Sequence, residues 1–224
     1  MRHAPAPLEA RPPATQLSAR ATGEADAPAV AALRVRALTS DTWEALAELF
    51  REGGDPRWCY CQFWRLRAKD FSSLKVPQLR ERLHDQATSE QPPGLVAFDG
   101  DRAVGWVSLG PRADYERIVR SKVIPTIDDR PVWSIVCFAV SASARAQGVA
   151  RALLDAAVDH ARTRGAEALE AYPVRLGDAE PIHPDAAFTG TLPMFERAGF
   201  KVVADRASDP SSSHQRVVVR RELP

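Results

Sequence analysis

Cysteine is scarce in this chain. There are three in 224 residues, at Cys59, Cys61 and Cys137. A low, odd count excludes a disulfide-stapled scaffold and fits a reducing cytoplasm. Cys59-x-Cys61 with Cys137 offers three thiols and no fixed fourth ligand, so free thiols and no metal are expected. Long apolar runs are missing too. None reaches the roughly 18 residues of a membrane span, and the N-terminal stretch lacks the apolar core of a secretory signal. Excess charge of one sign is absent: 30 Lys and Arg against 29 Asp and Glu leave a formal net charge of +1. No bulk field therefore favours nucleic acid. No internal repeat is visible. The Ala, Arg and Pro bias is that of a GC-rich bacterial genome.

What is present reads as one domain with a tail. Residues 1–28 are rich in Pro and Ala and poor in aromatics, and are expected to be disordered. Residues 29–224 carry the elements. Val30–Leu38 alternates as a first strand should. Ser40 or Asp41 can cap a helix that buries Trp43, Leu46, Ala47, Leu49 and Phe50, and Gly53-Gly54-Asp55-Pro56 ends it. A second helix is expected over Val76–Ala87. Leu95–Phe98 and Ala103–Leu109 read as a hairpin around Asp99-Gly100-Asp101. Tyr115–Arg120 reads as a short helical insertion. Two strands near Lys201–Ala204 and Arg216–Arg221 close the chain, with a polar, turn-like Ala207–His214 between them.

The most informative stretch is Arg145-Ala146-Gln147-Gly148-Val149-Ala150, an R-x-x-G-x-A. Before it, Val132–Val140 is β-branched and aromatic, as a buried strand is. After it, Val149, Leu153, Leu154, Ala157, Val158 and Ala161 recur at helical spacing. Strand, glycine loop and helix together make an anion cradle, because loop N–H groups and the helix N-terminus converge and glycine permits close approach. A dinucleotide fingerprint fits worse, since it needs several glycines and this loop has one. Glu167–Val174 reads as a following strand, and Thr191–Phe200 as a last helix ending in Gly199-Phe200.

This sequence of elements resembles the GNAT superfamily of acyl-CoA-dependent N-acyltransferases, strongly over Val132–Phe200 and weakly before it. The resemblance implies an α/β (α+β) fold. A mixed, mostly antiparallel sheet would carry helices on both faces and a split between its two central strands. It implies acetyl-CoA as co-substrate, with the pyrophosphate on Arg145, Ala146, Gln147, Gly148, Val149, Ala150 and Arg151. It implies that Phe138, Ala139 and Val140 present backbone groups to the pantetheine arm, the N–H of Phe138 or Ala139 polarising the thioester carbonyl. The activity implied is transfer of an acetyl or other small acyl group to an amine of a small molecule or peptide. A homodimer is possible, and neither nucleic acid nor membrane is expected as a partner. Two positions depart from the family. Phe195 stands where a Tyr often acts as general acid, and Phe188 where an Asn often helps hold the pantetheine. Phe has no proton to give. A non-catalytic acyl-CoA-binding module therefore stays open as an alternative, as does an acyltransferase toxin acting on charged tRNA.

Substitute catalytic groups are few. Glu170 and Tyr172 lie two apart on one expected strand and share a face, where a carboxylate and a phenol can serve as base and acid. A salt bridge for Glu170 and an edge-packing role for Tyr172 are the alternative. Asp128 and Asp129 precede the motif strand and read as a solvated turn. His183 lies in a Pro-rich loop. Trp58-Cys59-Tyr60-Cys61-Gln62-Phe63-Trp64 holds four aromatics in seven residues. Trp58 and Trp64 are candidates for the acceptor wall, a helix-packing plug being the other reading.

Overall fold

The computed structural model describes residues 33–54, 56–175, 188–205 and 215–224. Residues 1–28, His183 and the turn expected between the last two strands lie outside them. Among the described residues, seven strands form one sheet in the order β1-β2-β3-β4-β5-β7-β6. In chain order these are β1 (Arg34–Ala37), β2 (Gly94–Asp99), β3 (Arg102–Pro111), β4 (Trp133–Val140), β5 (Ala168–Ala171), β6 (Lys201–Asp205) and β7 (Val217–Glu222). Every pairing is antiparallel except that of β4 with β5. A parallel pair needs a crossover, and the helix after the motif loop supplies it.

That helix, α6 (Val149–Thr163), buries Val149, Leu153, Leu154, Ala157, Val158 and Ala161, the residues its periodicity picks out. It lies on one face of the sheet together with α7 (Leu192–Arg197), in a core with Ile135, Phe138, Phe195 and Phe200. Gly105 on β3 makes the fit possible: a Cβ there would lie 2.5 Å from Val149 Cγ1 and 2.9 Å from Leu153 Cδ1. The other face is covered by α1 (Ser40–Arg51), α2 (Pro56–Cys59) and α4 (Val76–Ala87) over Trp106, Val136, Cys137 and Tyr172. Two further short helices, α3 (Ala68–Ser73) and α5 (Glu116–Val119), border this side. α4 has the bounds its sequence predicts. α2 and α3 escape a sequence reading because four or six residues are too few to show a helical period.

β4 and β5 are in register only at Trp133–Leu169, Ser134–Glu170 and Ile135–Ala171. β4 then bulges: opposite β3, the partner of Leu109 is Ile135 and that of Ser108 is Cys137, so Val136 is the extra residue. Val136 and Cys137 consequently both belong to the core under α1. A bulge bends its strand and re-aims the side chains around it. Beyond it β4 and β5 part, opening the gap in which the site is built.

Candidate active site

Residues Phe188–Thr191 stand in the gap. On the β4 side the Phe138 N–H donates to the Phe188 carbonyl at 2.6 Å. On the β5 side Val174 N–H donates to Gly190 O at 3.0 Å, and Leu192 N–H to Val174 O at 2.9 Å. Since successive N–H groups alternate direction along a strand, Phe138 is the donor facing the gap and Ala139 faces β3. Phe195, one turn into α7, is fully buried against Phe138 and Phe200, at ring distances of 6.2 and 5.1 Å.

The loop after β4 is preorganised backbone. Ala146 and Gly148 both take left-handed conformations, at φ 60° and 81°. For Ala this costs about 1–2 kcal/mol; for Gly it is nearly free. Gly148 is the N-cap of α6, and a Cβ there would meet nothing within 4 Å. The surface outside it is open for a ligand. The first N–H after the loop to reach a backbone carbonyl is that of Ala152, on Gly148 O at 3.0 Å. The earlier N–H groups are the unpaired donors of a helix start, where the helix dipole also favours an anion. The side chains contribute little order: Gln147 donates to Ser143 O at 2.8 Å, and Arg151 pairs with Asp155 along the helix at 2.8 Å. Beside the loop is a cavity of about 310 Å³ between the end of α1 and Ala139–Ser143. At its edge Arg102 pairs with Glu52 at 2.7 Å, and with Ser141 holds that carboxyl below its usual range.

On the α1 side of the gap, Glu170 and Tyr172 share one face, as their spacing implies. Both are buried. The Tyr172 hydroxyl lies 3.0 Å from Ser134 Oγ and donates to Glu170 at 3.3 Å. Arg220 of β7 contacts Glu170 Oε1 at 2.7 Å, Arg112 contacts Oε2 at 3.4 Å, and Arg220 also holds Asp128 at 3.0 Å. Burial and the Glu170 charge push the Tyr172 phenol far up, so it remains protonated. Arg220 depresses the Asp128 carboxyl. Nothing in the sequence points to Arg112 or Ser134, and Arg220, which with Arg221 reads there as a solvated surface cluster, is instead buried at 7% exposure and bonded to Glu170 and Asp128. The one available signal was that Arg220 directly follows the apolar Val217–Val219 run of β7.

The aromatic segment divides. Trp64 is buried at 6% exposure and Trp58 is 58% exposed. Tyr60 and Cys61 have left-handed backbones, at φ 43° and 53°, and both side chains are buried. The result is a cavity of about 230 Å³ lined by Trp58, Cys59, Cys61, Phe63, Trp64, Cys137 and Phe188. The three thiols meet there. Cys61 is hydrogen-bonded to Cys137 and Cys59 and accepts from Trp106 Nε1 at 3.1 Å. The bond with Cys137 and burial hold the Cys61 thiol well above its usual range. All three cysteines are free. Among the described residues no cluster of His, Cys, Asp and Glu suits a metal, and no helix is long and apolar enough to cross a membrane.

No curated protein matches the sequence. Two solved structures share the fold over 86% of this chain. One, assigned to the GNAT acetyltransferases and from Desulfovibrio desulfuricans, is 18% identical, with a TM-score of 0.50 and all of its own length covered. The other, an acetyltransferase of the GNAT family from Streptococcus pneumoniae, is 14% identical, with a TM-score of 0.50 and 99% covered. The family model for the acetyltransferase (GNAT) family matches residues 43–180, which run from α1 through the gap, the loop and β5. That is more than half of the chain, and with a mostly antiparallel sheet split between β4 and β5 it shows that the chain belongs to the GNAT acetyltransferase family and is an enzyme of that type.

Proposed function

We propose that this chain transfers an acetyl or other small acyl group from coenzyme A to an amine of a small molecule or peptide. The observation that carries the reading is the unpaired backbone of Arg145–Arg151 at the start of α6, next to a gap lined by β4. In this reading the pyrophosphate takes the N–H groups around Gly148. The pantetheine arm takes the backbone of Phe138–Val140. The Phe138 N–H, once the Phe188 carbonyl releases it, polarises the thioester carbonyl. The acceptor enters from the Trp58–Trp64 side.

Glu170 is held by two guanidinium groups and in turn orients Tyr172, whose hydroxyl also meets Ser134. Tyr172, kept protonated by burial and by the Glu170 charge, has its hydroxyl engaged by Glu170 and Ser134, so solvent protonates the departing thiolate. Phe195 has none to give. The free thiols fit a reducing cytoplasm.

Gly148→Glu tests the reading. It forces a side chain into a left-handed position and sets a carboxylate where the pyrophosphate would lie. Calorimetry should show CoA affinity falling on the order of 100-fold, the combined effect of backbone strain and like charge. Equal affinity in the two proteins rules the cradle out. CoA binding with no thiol release across a broad amine panel rules out transfer and leaves a binding module.

A further inference from the structure

The cavity against Cys137 has aromatic and thiol walls and no carboxylate among its lining residues. Among the described residues, three guanidiniums stand against its rings from outside the lining. Arg57 stands over the Trp58 ring at 4.6 Å, Arg117 over Phe63 at 3.9 Å and Arg216 over Phe188 at 5.3 Å. Arg117 donates Nε–H to the Phe63 carbonyl at 2.7 Å. Among the described residues no carboxylate pairs with Arg57 or Arg117. A third feature is the Trp64 indole: it is buried, and its Nε1–H has no hydrogen-bond partner. An unpaired buried donor is costly, and a ligand acceptor atom relieves it.

These features select against many amines. A polyamine or aminoglycoside brings further ammonium groups, which here would meet the Arg57 and Arg117 guanidiniums, neither of them paired with a carboxylate among the described residues. A fully polar amine would be stripped of water by aromatic and thiol walls that return few hydrogen bonds. An apolar body gains from those walls, and a carboxylate gains from the two unneutralised guanidiniums and the free indole N–H.

We propose that the acceptor is an amine on an apolar or aromatic body that also carries a carboxylate, as in an α-amino acid with a large apolar side chain. The proposal rests on the acyl-transfer reading above. The body lies on Trp58, Phe63 and Trp64, the carboxylate turns toward Arg57 and Arg117, and the amine faces the bulge at Val136–Cys137. The amine nitrogen then bonds to the acyl carbon as the carbon–sulfur bond breaks. The nitrogen loses a proton to solvent, and the CoA thiolate takes one up. The products are the N-acyl amino acid and free CoA thiol.

The test uses the full chain, acetyl-CoA, and three amines: phenylalanine, phenethylamine (the same body without the carboxylate) and spermidine. Thiol release gives kcat/KM, and calorimetry gives binding of each amine. Phenylalanine should exceed phenethylamine by at least about tenfold, a difference expected of one charge-assisted contact, and spermidine should be poorest. Arg57→Glu, at an exposed position, should erase the preference for phenylalanine chiefly by raising its KM. Phenethylamine or spermidine matching or surpassing phenylalanine overturns the proposal and leaves acyl transfer standing. Phenylalanine that binds selectively while no amine releases thiol supports the pocket and overturns acyl transfer. Absence of both binding and turnover with phenylalanine overturns the proposal.

Discussion

The two sides of the gap between β4 and β5 are built on opposite plans. The Arg145–Arg151 loop offers its main chain: the side chains of Arg145–Gly148 are exposed, no backbone donor of the loop reaches a backbone carbonyl among the described residues, and Gly148 has nothing around it. The α1 side works through side chains. Glu170, Tyr172 and Ser134 are buried and mutually bonded there, and Trp64 and Cys61 are buried beside them, in a layout set by a bulge and by strand register. Substitutions should therefore separate the two. Changes on the α1 side should chiefly cost folding stability, and changes in the loop should chiefly cost ligand affinity, with a smaller stability loss where the left-handed Gly148 is replaced.

The largest effect is expected within the aromatic segment itself. Trp64→Ala empties a buried site and should destabilise by about 3–5 kcal/mol. Trp58→Ala removes an exposed ring and should stay within about 0.5 kcal/mol. Urea denaturation of both variants measures the contrast, and equal losses would dissolve the distinction between a packed and a ligand-facing tryptophan. Trp58→Ala, still folded, should then raise the acceptor KM with CoA affinity unchanged.

Arg220→Met comes next. It leaves Glu170 buried with Arg112 as its sole remaining cation, and should cost about 3 kcal/mol. The same denaturation assay checks it. A loss of only a few tenths would mean that the α1 side is no more sensitive than a surface.

A smaller effect concerns pH. Arg220 lowers the Asp128 carboxyl in the folded protein. A group with a depressed folded pKa contributes stability above its ordinary, unfolded pKa and loses it as pH falls through the folded value. The contribution is thus present at neutrality and disappears below the ordinary aspartate range, near pH 4. Asp128→Asn should flatten the acid limb of a stability-against-pH curve. An unchanged limb would show that this pair carries none of the acid sensitivity.

The smallest effect is chemical. Cys59 is partly exposed, whereas Cys61 and Cys137 are buried and the Cys61 thiol resists ionisation. Iodoacetamide near pH 8 should label Cys59 in the native chain and all three cysteines after unfolding, as mass spectrometry would show. Native labelling of Cys61 at the rate of Cys59 would contradict the closed packing around it.

The same contrast governs what the sequence discloses. The loop and its flanking strand and helix are contiguous, so Gly148 and the α6 periodicity announce them. α4 is similarly legible because its apolar stripe is local. The partners of Glu170 are not: Arg112, Asp128 and Arg220 come from distant segments, joined by strand order and register. Spacing places Glu170 and Tyr172 on one face but is silent about the two guanidiniums that neutralise the carboxylate. The bulge at Val136 is hidden too, because an extra residue in a strand shows only against its partner. Without it, the meeting of Cys137 with Cys61 has no sequence signature.

With Phe188–Thr191 in place, the unliganded sheet has no open seam. Strand edges left bare invite other chains to pair with them, and this protein closes its own central edge with a piece of itself. In the proposed acyl transfer, entry of a pantetheine arm would be an exchange, in which one set of main-chain partners leaves as another arrives. Association limited by such an exchange should level off as CoA concentration rises. The pace of loading would be written into residues that never touch the reacting atoms.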